Sequence, residues 1–263
     1  MTRRAARALV VAALPAAVGM QGLVAQSARP GATASAQRRQ FLTCPIVRDT
    51  RTQPCWLAEY QGELYYLGQQ GGVANDFHPP QLGHQVLVEG AVQATGSGRV
   101  CGGIPLQPVK VSVIRELTPS CNTILPAEDG IDAPPPIPSP RGQPAPSWVR
   151  LDGPGDVTLY FDFDNDYFSL HLTTALTDLA THIRDTRASR VEVTGYRAAT
   201  RLTGGEVLTE KPQMGLVRAR KVADTLAGLG VPKAVLVATA PEPAEAADGV
   251  NDPWNRRVVV RVR

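Results

Sequence analysis

The sequence predicts a two-domain chain: an all-β small barrel over 41–130, then an α/β sandwich over 155–263 in the order β-α-β-α-β-β. Three observations carry this. A proline block divides two stretches of different periodicity. The first stretch holds short alternating runs punctuated by glycine, as small β folds do. The second alternates strand-like runs with apolar residues at helical spacing.

Residues 1–27 have the order of a secretory signal: basic Arg3, Arg4 and Arg7, an apolar run from Ala8 to Val18, then Ala25-Gln26-Ser27 with small residues where a signal peptidase cuts. A spanning helix needs about 20 apolar residues, and Gln21 and Gln26 cut this run short. The mature chain is expected to start near Ser27 and to have no transmembrane span. The whole chain carries 27 basic and 24 acidic residues. Residues 1–27 hold three Arg and no acid, so the mature chain is close to neutral. A neutral chain has no bulk attraction for nucleic acid or an anionic surface.

Residues 28–40 are small, polar and basic and read as a disordered lead-in. In the first domain, Trp56 to Tyr60 and Glu63 to Leu67 flank the turn signal Gln61-Gly62. From Gln85 to Val92, Val86, Val88 and Gly90 alternate with Leu87, Glu89 and Ala91. Val109, Val111 and Val113 face away from Lys110 and Ser112. The phrase Val86-Leu87-Val88-Glu89-Gly90, followed by a second long strand, resembles OB-fold proteins. Their aromatic platforms have counterparts in Trp56, Tyr60, Tyr65 and Tyr66, but the region lacks the basic character of a nucleic-acid groove.

Cys44, Cys55, Cys101 and Cys121 all lie in this domain. An even count in an exported chain points to disulfides. Of the three pairings, the nearest-neighbour one, Cys44–Cys55 with Cys101–Cys121, is preferred. No CxxC pair or Cys/His cluster suggests a metal.

The linker is placed at 131–154, around Pro134, Pro135, Pro136, Pro138, Pro140, Pro144 and Pro146. Such density favours extended polyproline II and predicts domains that fold separately. Beyond it, Val157 to Phe163 reads as a strand, and Leu172, Leu176, Leu179 and Ile183 as a helix face. Val191 and Val193 lead into Gly195; Met214, Val217, Val222, Leu226 and Leu229 mark a second helix; Val235 to Ala238 and Val258 to Val262 complete the strands. Right-handed crossovers put both helices on one face.

Four motifs in order then carry a resemblance. Tyr160-Phe161-Asp162-Phe163-Asp164, Val193-Thr194-Gly195-Tyr196, Val217-Arg218-Ala219-Arg220-Lys221-Val222 and Asn255-Arg256-Arg257-Val258 resemble the motifs of OmpA-like domains. The resemblance implies a non-enzymatic, cofactor-free envelope protein, periplasmic and within reach of the outer membrane. Its C-terminal domain would bind the diaminopimelate of peptidoglycan, and its N-terminal domain an envelope protein partner. Arg218 matches the residue that pairs with a ligand carboxylate and Asp164 the first-strand acid. Phe163, Asn255, Arg256 and Arg257 complete the implied ligand-binding set. An Arg suits a carboxylate because its planar fork donates two parallel hydrogen bonds.

The sequence also departs from this pattern. The family's amine-holding Asp has Ala198 in its place, and the segment from Gly195 to Arg218 is longer by about five residues. Three outcomes are open: another acid such as Glu206 or Glu210 substitutes, binding is weak, or wall binding is lost and the fold serves only protein interaction. The same residues also read as ordinary structure: Asp162 and Asp164 as strand flanks, Arg218 as a solvated helix residue, and Asn255, Arg256 and Arg257 as salt-bridge formers. His78, His84, His171 and His182 show no metal-ligand spacing, and no nucleophile elbow or phosphate loop occurs.

Mass spectrometry of the secreted or periplasmic protein should show loss of about 27 N-terminal residues and a mass about four protons below the reduced mature chain. An intact, fully reduced chain would contradict the export reading.

Overall fold

The structure, a computed structural model, describes residues 37–69, 79–92, 98–134, 149–153 and 155–263. The signal segment 1–27, residues 28–36 of the lead-in, His78 and most of the proline block lie outside the described residues. No described helix is long and apolar enough to cross a membrane.

The N-terminal half contains β1 (Arg38–Thr43), β2 (Pro45–Arg48), β3 (Cys55–Tyr60), β4 (Glu63–Gln69), β5 (His84–Val92), β6 (Ile104–Leu117) and β7 (Thr123–Leu125). They form one sheet in the order β1-β5-β6-β4-β3-β2-β7. The ladder is open, with β1 and β7 at its edges, so the expected closed OB-like barrel does not form among the described residues. Yet β1 and β2 are separated only by Cys44, and Thr43 Oγ1 donates to the Glu59 carbonyl of β3 at 3.0 Å. The sheet therefore curls on itself around Phe41, Ala58, Tyr65, Leu67, Val86, Val88 and Val111. Arg38 to Gln40, assigned to the lead-in, instead open β1, because they pair with Ala91, Gly90 and Glu89.

Strand register also overturns the nearest-neighbour disulfides. The bonds are Cys44–Cys121 and Cys55–Cys101, with Cα atoms 4.8 and 6.4 Å apart. β2 runs parallel to β7 with Ile46 opposite Thr123, which carries Cys121 alongside Cys44. Proximity in sequence lost to sheet pairing.

In the C-terminal half, β8 (Val149–Gly153), β9 (Asp156–Tyr160), α1 (Leu170–Thr186), β10 (Val191–Gly195), the hairpin β11 (Ala199–Arg201) and β12 (Val207–Thr209), α2 (Met214–Gly228), β13 (Leu236–Thr239), the short α3 (Asp252–Asn255) and β14 (Arg257–Val262) follow in turn. The β-α-β-α-β-β order holds, with β8 and the hairpin added. Val149–Gly153, placed in the linker by its prolines, is the edge strand of the sheet β13-β10-β14-β9-β8. α1 starts where the Ser169 side chain accepts from Leu172 N–H, and ends where Arg187 turns left-handed. Its Leu172, Leu176, Leu179 and Ile183 share one core with Ala219, Val222 and Leu226 of α2. Val157, Leu159, Val191, Val193, Val258 and Val260 supply the sheet side of that core.

The two stretches that the linker was expected to separate pack against each other. The described residues fall in one compact unit. β5 and β6 bury one face in their own half, as their alternation requires. Their other face, Leu87 opposite Ser112 and Glu89 opposite Lys110, resembles a solvent face in sequence but is covered by the C-terminal half. Leu87 packs with Phe163 and Leu202. Ser112 Oγ accepts from Phe163 N–H at 2.9 Å. Lys110 Nζ donates to the Phe161 carbonyl at 2.7 Å. Burial, reinforced by the Arg256 charge, pushes the Lys110 ammonium down to about 7. Glu89 receives both Nη groups of Arg256 and, at 3.2 Å, the Thr200 hydroxyl.

Removing one member of a buried ion pair strands the other and costs about 3–5 kcal/mol. Glu89→Ala should therefore lower the urea midpoint sharply. Far-UV circular dichroism and tryptophan fluorescence should still trace one shared transition for the wild type. Two separated wild-type transitions would show that the halves are energetically independent.

Candidate functional site

The four motifs converge at one end of the C-terminal sheet. β9 leads into the turn Phe161–Asn165, in which Asp164 adopts φ 51°. β10 ends at Gly195, and α2 begins against it. A Cβ on Gly195 would lie 1.9 Å from the Gly215 carbonyl oxygen, and one on Gly215 would lie 2.7 Å from the Gly195 oxygen. Only glycine at both positions lets strand and helix backbones meet. That contact sets Arg218, one turn into α2, beneath the β9 turn.

Arg218 is fully buried. Its Nε donates to the Asn165 carbonyl at 2.7 Å. Nη1 donates to the Tyr196 carbonyl at 3.2 Å and to Glu210 Oε2 at 3.0 Å. Nη2 donates to the Asp162 carbonyl at 2.8 Å and to Glu210 Oε1. A guanidinium has five N–H donors, and these five bonds use them all. The Phe161 ring lies 5.2 Å from the guanidinium carbon.

Glu210 is buried as deeply, with 1% exposure. Besides Arg218, Oε1 accepts from Asp164 N–H at 2.7 Å and Oε2 from Ala198 N–H at 2.9 Å. Four hydrogen bonds thus hold one carboxylate. The hairpin β11–β12, within the segment from Gly195 to Arg218, delivers it. Glu206, the other substitute acid, sits exposed near the hairpin turn.

The remaining predicted site residues divide. Asp164 lies beside this centre; its Oδ1 accepts from Lys211 N–H at 2.9 Å and its Oδ2 meets Lys211 Nζ at 3.1 Å. Phe163 turns away into the contact with Leu87 and Leu202. Arg256 is wholly buried on Glu89 and Thr200. Arg257 pairs with Glu245 at 2.7 and 3.1 Å and lies over the Tyr196 ring at 4.3 Å. Asn255 accepts from Arg257 through its carbonyl at 3.2 Å. Arg218, Asp164 and Glu210 are therefore brought together, while Phe163, Arg256, Arg257 and Asn255 are held by partners of their own.

Sequence reasoning missed Glu89 and Asp252. Glu89 entered only as one residue of an alternating strand. Asp252 is fully buried and accepts from the N–H groups of Arg201 and Asp248 at 2.8 and 2.7 Å, which orders the turn before α3. Its only signal was the Asn-Asp-Pro run, which marks a helix start.

No family model matches the chain, and no curated protein does. Similar solved structures include the OmpA-like domain of FopA1 from Francisella tularensis, 24% identical over 44% of this chain and 80% of that one, with a TM-score of 0.32. The peptidoglycan-associated lipoprotein from Burkholderia pseudomallei is 21% identical over 40% and 89%, with a TM-score of 0.34. The periplasmic domain of Helicobacter pylori MotB is 19% identical over 41% and 74%, with a TM-score of 0.32.

An acid at position 198, where the resemblance implies one, has a cost that sequence alone conceals. Ala198 is fully buried, and its N–H is bonded to Glu210. Ala198→Asp would place a second carboxylate beside the first at a fully buried position. We expect it to destabilise the chain by about 3 kcal/mol or more, read as a lowered denaturation midpoint. An unchanged midpoint would show that position 198 reaches solvent.

Proposed function

We propose that the chain is a non-enzymatic cell-envelope protein whose OmpA-like half is closed to the peptidoglycan stem and works, fused to the N-terminal half, as a protein-interaction module. One observation carries this reading. Arg218, the residue that the resemblance assigns to a ligand carboxylate, has no exposed surface and already holds a carboxylate of its own chain. A ligand would have to displace Glu210 before gaining any bond from Arg218. The loss of an acid at Ala198 removes the contact that the family uses for the ligand amine. Signal-like residues 1–27 and two disulfides support an oxidising, extracytoplasmic location.

A second reading keeps wall association through the same half. The four motifs in order favour it, and the Asp164 carboxylate is the one member of the central group that retains some exposure, at 15%.

Co-sedimentation with purified peptidoglycan sacculi separates the two. The wild type should sediment no more than a non-binding control protein, and Arg218→Ala should leave that result unchanged. Sedimentation of the wild type that a diaminopimelate-containing stem peptide competes away would establish wall binding and end the first reading.

A further inference from the structure

We infer that Glu210 is an intramolecular ligand: it fills a carboxylate cradle made of the Arg218 guanidinium and the backbone N–H groups of Asp164 and Ala198. The inference rests on the reading of the site as closed and adds what closes it and what the cradle accepts. The four donors come from three separate segments: the β9 turn, the connection between β10 and β11, and helix α2. They converge on two oxygen atoms at distances no longer than 3.0 Å. Arg218 would not need Glu210 to remain partly satisfied, because three of its donors bond the carbonyls of Asp162, Asn165 and Tyr196. Those carbonyls fix the guanidinium plane in place whether or not the carboxylate is present. The cradle is thus preorganised for a planar anion of carboxylate shape.

The occupant is held from outside the C-terminal half. Thr203 N–H of the hairpin donates to the Gln40 carbonyl at 2.7 Å, and Gln40 N–H donates to Thr203 Oγ1 at 2.9 Å. Thr200 of the same hairpin donates to Glu89, and Leu202 packs against Leu87. Strands β1 and β5 therefore clamp the hairpin that delivers Glu210. Opening the cradle requires loosening contacts between the two halves.

Glu210→Ala removes a CH2 group and a carboxylate, which together have the size and charge of acetate. The variant should melt below the wild type in sodium chloride. Replacing chloride by acetate at equal ionic strength should raise its melting temperature by about 4 °C when acetate exceeds its dissociation constant tenfold. The wild type, with its cradle filled, should show no difference between the two salts. Glu210→Ala combined with Arg218→Met should not respond to acetate either. Equal melting temperatures for Glu210→Ala in the two salts, or an equal response of the double variant, would overturn the proposal. If Glu210→Ala does not stay folded in chloride, refolding yield in acetate against chloride reads the same rescue, and equal yields, including none in both, overturn it. Sacculus binding by the wild type would end the closed-site reading without altering the acetate result, so the two fail separately.

Discussion

A charged group with no exposed surface must find all its partners inside the protein, because unpaired burial of a charge costs far more than a domain's net stability allows. Arg218 meets that constraint completely, and much of the C-terminal half is arranged to let it. The β9 turn offers two carbonyls, the end of β10 offers a third, and the hairpin brings a carboxylate. The glycine pair at 195 and 215 closes the gap between strand and helix so that these groups lie within reach. A second buried guanidinium, Arg256, is paired across the boundary between the halves through both Nη groups, with Glu89 as its main partner, while its Nε is left without a hydrogen bond.

The two ion pairs make the hairpin β11–β12 the joint of the molecule. Glu210 follows its second strand, and Thr200 in its first strand binds Glu89. A segment that interrupts the β-α-β-α-β-β order therefore links the interior of one sheet to the outer face of the other. Buried ion pairs are weak contributors to stability compared with apolar packing, yet breaking one is expensive. They define which arrangement is allowed more than how stable it is.

The C-terminal fold was legible because its signals are local. Leucines at helical spacing gave α1, and alternating valines gave β10 and β14. The site was legible only as a set of residues. Its four motifs singled out Arg218 and Asp164, which meet at the Glu210 carboxylate, but residue type cannot say whether an Arg faces a ligand or a glutamate of its own chain. The alternation of Leu87 and Glu89 with Val86 and Val88 was read correctly as two faces; that the polar face is covered depends on a partner surface more than a hundred residues away in Thr200 and Arg256. The disulfides failed for the same reason, since register between β2 and β7 is a long-range property. The prolines misled at Val149–Gly153, where β9 supplies a partner that composition does not reveal.

The disulfides are nested, Cys55–Cys101 lying inside Cys44–Cys121. For a chain threaded N-terminus first into an oxidising compartment, Cys44 and Cys55 arrive together, well before their true partners. Oxidation in order of arrival joins those two, and the second pair to appear, Cys101 and Cys121, then closes on itself. Neither bond is compatible with the register that aligns β2 with β7. A chain oxidised in that order reaches the native pairing only by thiol–disulfide exchange, and because all four cysteines are then bonded, the attacking thiolate must come from an external thiol or isomerase, which forms a mixed disulfide and leaves as the native bond closes. Without such an external thiol, a chain oxidised in that order would stay misbridged however stable the correctly paired protein is.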